Sequence, residues 1–162
     1  MAPIAAGVES PTPVRGGLGQ TVRMSSEDFD LDEDELLIRA LGELGGRGRQ
    51  GAEAAARRLR KDVFETELVL RVAPAAAAER ARDAISDHGS LLDLEGVGDD
   101  RVVGVVRAGV GNLNPAVVIV TISASAEGSR LVIRGAAKEG LIKQRAGEKA
   151  AKRVAAAMTS DS

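Results

Sequence analysis

GSRLVIRGAAKEGLIKQRAGEKAAKRVAAAM, residues 128–158, carries two periodicities in one run, and the change between them decides the fold. Over 129–135 the period is two: Leu131 and Ile133 point one way, Arg130, Val132 and Arg134 the other. Alternation of this kind is the mark of a half-buried strand. Over roughly 138–158 the spacing is helical. Gly147, Ala150, Ala151 and Met158 fall within about 60° of Val154 at 3.6 residues per turn. Arg145, Lys149 and Lys152 fall on the opposite side, with Glu148 and Lys152 placed as a stabilising i,i+4 pair.

Upstream of this run lie more strands. Glu127-Gly128 reads as a tight hairpin turn. Residues 116–124 (AVVIVTISA) are the most strand-like stretch of the chain, GNLNP at 111–115 is a turn by composition, and 101–110 (RVVGVVRAGV) is a further strand. Residues 90–95 (SLLDLE) make a short one. In VFETELVLRV, 63–72, Phe64, Thr66, Leu68, Leu70 and Val72 share one face, and Glu65, Glu67 and Arg71 the other. Pro74 then opens a helix over 75–88, whose stripe is Ala77, Ala81, Ala84, Ile85 and His88 and whose end is Gly89. The expected class is α+β, in the order β-α-β-β-β(-β)-α: an antiparallel sheet with one face buried under helices and gripping a long C-terminal helix, preceded by an N-terminal helical arm. If the first and last strands pair, Glu65 and Glu67 face Arg130 and Arg134, and such cross-strand pairs add a few tenths of a kcal/mol each.

Ahead of the sheet, residues 1–30 are rich in Pro, Gly, Ser and Thr without periodicity and are expected to be a disordered tail. Residues 31–62 read as a helical arm or linker. In its first helix, 31–44, Leu37, Leu41 and Leu44 share a face, the acids Asp32 to Glu35 sit where the helix dipole favours them, and Gly45-Gly46 end it. A second helix covers 51–62. Residues 63–158 form the α+β domain and 159–162 a short tail.

The closing strand and helix, with this order of elements over about 63–158, resemble the helix-grip, TBP-like folds, START-like and polyketide-cyclase-like (SRPBCC) proteins among them. The resemblance implies a curved antiparallel sheet around the last helix. It also implies an apolar ligand in the space between helix and sheet, whose lining here would be Leu68, Leu70, Val118, Val120, Ile133, Ala150 and Val154.

Composition narrows the chemistry. The 162 residues hold 22 basic and 24 acidic side chains, a net charge of -2, one His, no Cys, and 1% aromatics, namely Phe29 and Phe64. Cysteine-thiolate catalysis and Cys/His zinc sites are excluded. Base-stacking platforms need rings that are absent, and the balanced charge argues against nucleic acid. No apolar run approaches the ~20 residues of a membrane span, and the N-terminus lacks the features of a signal peptide. A cytoplasmic, bacterial protein without a cofactor is expected.

Several local patterns resolve to structural roles. Gly46-Arg47-Gly48-Arg49-Gln50-Gly51 matches GxGxxG, but a helix precedes it where the dinucleotide fingerprint needs a strand. It reads as an inter-helix loop. Gly16 to Thr21 lacks the lysine of a phosphate loop. His88 has no orienting partner for general-base work. Asp93, Glu95, Asp99 and Asp100 lack EF-hand spacing. No catalytic constellation and no metal ligand set remains, so the chain is expected not to be an enzyme. Its expected role is protein-protein contact or self-association, carried by Leu37, Leu41 and Leu44 of the arm and by the basic face Arg145, Lys149 and Lys152. That basic face is expected to meet the acidic segment 27–35, within the chain or between copies. The alternative is a carrier or sensor of a small apolar ligand. Nucleic-acid contact through Arg47, Arg49, Arg57 and Arg58 trails both.

Overall fold

The structure, a computed structural model, describes residues 27–44, 46–94, 97–109, 111, 113–140 and 144–160. The tail expected over residues 1–30 lies outside it as far as residue 26; α1 (Glu27–Leu44) begins inside that stretch. A 3-10 turn, Gly46–Gly48, leads to α2 (Arg49–Ala56). The sheet follows, as β1 (Arg60–Leu70), β2 (Gly89–Leu91), β3 (Arg101–Ala108), β4 (Asn114–Ser125) and β5 (Gly128–Glu139). Helix α3 (Pro74–His88) joins β1 to β2, and α4 (Ala146–Ser160) closes the chain.

Every neighbouring pair is antiparallel, in the order β1-β5-β4-β3-β2. Helix α3 therefore carries the chain from one edge of the sheet to the other, and the meander β2 to β5 brings it back beside β1. The hairpin between β4 and β5 pairs Ser125 with Gly128 around a two-residue loop, Ala126-Glu127. Gly128 has φ +132°, and a Cβ there would strike the Leu70 carbonyl. Glycine is needed there for both reasons.

The arm helix expected over 51–62 stops at Ala56, and residues 60–62 are already β1, because they pair with Ala137 to Glu139 of β5. Otherwise the expected α+β order is present, with two further corrections. The first concerns the start of the last helix. Residues 138 and 139 belong to β5, because β5 pairs with β1 as far as Arg60↔Glu139. Arg145 takes φ 51°, which no helical residue adopts, so α4 starts at Ala146. The Glu139 carboxylate then accepts the Ala146 N–H at 3.0 Å and holds the helix start against the end of the strand.

The second correction concerns burial. The sheet is buried on both faces at its centre. On one face α3 and α4 cover Val106, Val118, Val120, Leu131 and Ile133, with Ile85, Ala150, Val154 and Met158 from the helices. On the other, Leu37 of α1 packs with Val103, Val117, Ile119 and Ala136. The unbroken apolar run in β4 is what two covered faces require.

Under α4 the layer is thin. A Cβ on Gly147 would lie 2.7 Å from the Gly135 carbonyl oxygen and 3.1 Å from that of Asp62, so helix and sheet meet backbone to backbone. The small residues of α4 serve close approach.

Candidate interaction site

The outer face of the sheet, opposite α3 and α4, is built by the outward-pointing residues of four strands. The alternation that turns Leu131, Ile133 and Ala137 inward turns Arg134, Ala136 and Lys138 outward. Beside them stand Lys61 and Glu65 of β1, Val117 and Ile119 of β4, and Val103 and Val105 of β3. The result is a patch that is apolar over β3 and β4 and basic over β5 and β1.

Helix α1 lies on this patch. Glu33 and Leu37 are one turn apart and point to the same side. Both are fully enclosed, at 1% and 0% exposure. Leu37 enters the apolar half. Glu33 enters the basic half, where the Arg134 guanidinium donates to both its oxygens at 3.0 and 3.2 Å and the Lys61 ammonium lies at 3.2 Å. Arg134 also donates to Glu65 at 2.8 Å. One residue along α1, Asp34 pairs with the buried Lys138 at 2.5 Å. Lys61, Arg134 and Lys138 thus meet Glu33, Asp34 and Glu65, which is how buried charge is tolerated away from water. The hydrogen bonds to Glu33 raise the Arg134 pKa further, burial opposes this, and Glu65 adds to it, so the guanidinium stays charged throughout.

Helix α2 lies against α1, joined to it by Gly46–Gly48. A Cβ on Gly42 would strike the Glu53 side chain, and Arg57 reaches Glu35 at 3.7 Å. The two helices form a hairpin with one side on the sheet.

The expected residues fall as follows. Glu65 and Glu67 do meet arginines: Glu65 pairs with Arg134 and Glu67 with Arg130, the latter in water at 2.6 and 2.8 Å. Leu37 is buried against the chain's own sheet and Leu41 is half-buried. The Leu44 side chain lies outside the described part.

Lys149 and Lys152 of α4, with Arg145 just before its start, lie across the sheet from α1. Within the chain, the contact expected between this basic face and the acidic 27–35 segment is corrected for Glu33 and Asp34, which meet Lys61, Arg134 and Lys138 on the other side of the sheet. Arg145 and Lys152 pair instead with Glu148, at 3.6 and 2.6 Å, and Lys152 sits 5.3 Å from the centre of the Phe64 ring. The Glu148 pKa is lowered, chiefly by the hydrogen bond from Lys152.

Of the seven residues named for an apolar ligand, Leu70, Val118, Val120, Ile133, Ala150 and Val154 belong to the packed core under α3 and α4, and the half-buried Leu68 packs against it. None lines either of two surface cavities. One, about 350 Å³, is bordered by Arg82, Leu91, Leu94, Val97, Asp99 and Arg101. The other, about 40 Å³, lies between α3 and α4.

His88 ends α3 and is half-buried. Among the described residues no three His, Cys, Asp or Glu side chains converge as a metal site, and no helix is long and apolar enough to cross a membrane. The GxGxxG stretch holds the 3-10 turn and the start of α2, with Arg47 and Arg49 exposed there and Arg57 and Arg58 exposed just beyond α2. The Gly16 to Thr21 stretch and Glu95 lie outside the described residues. What the sequence reading missed is Glu33, Asp34, Lys61 and Lys138. Extending the alternation of β5 from 135 to 138 puts Lys138 on the same face as Arg134, and Glu33 precedes Leu37 by one turn; those were the available signals.

No family model matches the chain, and no curated protein matches it. Solved structures do. A protein from Chromobacterium violaceum is similar at 10% identity over 61% of this chain and 96% of its own, with a TM-score of 0.42. A protein from Rhizobium leguminosarum is similar at 14% identity over 61% and 95%, with a TM-score of 0.38. A protein of unknown function from Staphylococcus aureus is similar at 11% identity over 64% and 88%, with a TM-score of 0.34.

Proposed function

We propose that this is a non-catalytic module of the bacterial cytoplasm that works by protein-protein contact, and that the contact is made by the outer sheet face and the acidic amphipathic helix it receives. The observation that carries this is the enclosure of Glu33 among Lys61 and Arg134 beside the Leu37 contact. A surface that matches both the charge and the apolar stripe of one helix selects for helices of that chemistry. Helix α1 is then the resident occupant, and an acidic helix with a leucine one turn after a glutamate is the partner class. In START-like and polyketide-cyclase-like proteins, which the closing strand and helix resemble, ligands sit between helix and sheet. Here the Gly135–Gly147 approach fills that layer, which supports contact at the opposite face over ligand carriage.

The test is a labelled peptide of residues 27–44 added to the full chain. The resident helix competes at millimolar effective concentration, so the wild-type chain binds the peptide weakly. A Glu33→Gln chain, with its own helix loosened, binds more tightly, and the affinity falls with added salt. A chain carrying Arg134→Glu binds less than either. No binding to the Glu33→Gln chain at low salt overturns the proposal.

A further inference from the structure

We infer that two copies of this chain exchange their α1 helices, so that Glu33, Asp34 and Leu37 of one copy complete the outer sheet face of the other. The inference rests on the reading of that face as a helix receiver, and adds which helix it receives in trans. Three observations carry it. The first is charge complementarity: residues 27–44 hold eight acids and one base, and Glu33 and Asp34 among them meet Lys61, Arg134 and Lys138. The same match is available on any second copy.

The second is the joint. Among the described residues nothing lies within 4 Å of the position of a Cβ on Gly46 or Gly48 of the 3-10 turn, and Gly46 takes φ +51°. Among those residues the turn can open without displacing a neighbour. Glycine there admits the alternative backbone angles.

The third is where α1 packs. Its neighbours are α2 and the outer face of the sheet, chiefly β4 and β5, while the large core lies across the sheet under α3 and α4. Helix α1, about 27 Å long at 1.5 Å per residue, can leave without opening that core. On a second copy it finds the same α2, the same apolar patch and the same cations. Reciprocal exchange therefore reproduces every α1 contact, and only the angle at Gly46–Gly48 and the freedom lost on association differ between monomer and dimer. That is the condition under which swapping is accessible.

The experiment uses two full-length variants that are each mismatched within themselves. In the Glu33→Lys chain, an arm cation faces Arg134. In the Arg134→Glu chain, the arm Glu33 faces a carboxylate. Each alone is expected to elute as a monomer with a loosened arm. In an exchanged heterodimer both sites are matched. The arm of the Glu33→Lys chain brings a cation to the carboxylate of the Arg134→Glu chain, and the other site regains the native pair of Glu33 with Arg134. Mixing is therefore expected to give a species of twice the mass. Adding Leu37→Asp to the Glu33→Lys chain is expected to abolish it.

A chain carrying both charge substitutions is matched within itself. Its cooperative melt shows that the changes are tolerated in the fold. The pair Asp34→Lys and Lys138→Asp repeats the design at the more open contact, should the lysine introduced at position 33 prove too large for its site. A mixture that stays monomeric for both pairs overturns the exchange, as does a heterodimer that survives Leu37→Asp. If the mixtures stay monomeric while the 27–44 peptide still binds the Glu33→Gln chain, the exchange fails and the helix-receiving face stands. If the peptide binds nothing, both fall.

Discussion

Replacing Glu33 by Gln should release the arm and leave the domain beneath it intact. The amide keeps the volume of the carboxylate but removes the charge that Arg134 and Lys61 surround at 3.0 to 3.2 Å. Removing one partner of a fully buried ion pair costs about 3–5 kcal/mol. Two facts lower that here. The Arg134 and Lys61 side chains keep 14% and 19% of their exposure, and Arg134 keeps Glu65 at 2.8 Å. A cost of about 2–3 kcal/mol follows, similar to the ~1.5–3 kcal/mol that burying Leu37 contributes. At 1.4 kcal/mol per factor of ten, the population with α1 lifted rises about 30- to 150-fold.

Native-state hydrogen exchange read by mass spectrometry measures this locally. Amides of α1 should exchange faster by that factor. Those of α4 and of the centre of β4 should not change, because α4 packs in a core that contains no α1 residue and the β4 amides stay paired with β3 and β5. Unchanged protection in α1 would mean that the charge cluster does not hold the arm. An equal loss in α1, β4 and α4 would mean that the arm cannot leave without global unfolding. Either result refutes the reasoning.

Gly147→Ala is expected to destabilise the domain by about 1–3 kcal/mol, as overpacking does, because the atoms a Cβ would meet at 2.7 and 3.1 Å are backbone oxygens that cannot swing aside. That exceeds the gain of up to about 1 kcal/mol in helix propensity, so a urea midpoint at or above wild type would rule out the close approach. Glu139→Ala removes the acceptor of the Ala146 N–H and should cost about 0.5–2 kcal/mol, as loss of a helix cap does, visible as a lowered Tm. The lowered pKa of Glu148 sets a pH signature. A depressed folded-state pKa adds stability above the ordinary carboxylate value, about 4.3, and that stability is lost as pH falls through the depressed value. The stability difference between wild type and Glu148→Gln should therefore be constant above that pH and shrink below it; a difference that persists into acid would show that Glu148 acts by shape alone.

Which parts of this were legible in the sequence follows the range of the interactions involved. Phe64, Leu68 and Leu70 face the helices because strand alternation needs no partner to be read. Glu65 and Glu67 are matched to Arg130 and Arg134 once the first and last strands pair, which the resemblance to helix-grip folds implies and the sheet order shows. The start of α4 was not legible. Residues 138 and 139 look helical locally, and they are strand because Arg60 and Lys61 pair with them from far upstream. Leu37 was recognisable as an apolar face, but amphipathicity states that a helix docks and leaves open where.

The element order, the inward and outward faces of β1 and β5, and the small-residue stripe of α4 were all readable from the residues. Each of these is set by spacing within one segment. That the acidic arm lies on the far side of the sheet from α4 came from the packing of distant segments. The same packing encloses Glu33. A carboxylate stays charged out of water only where cations are brought to it, and here one of them, Arg134, comes from 101 residues away.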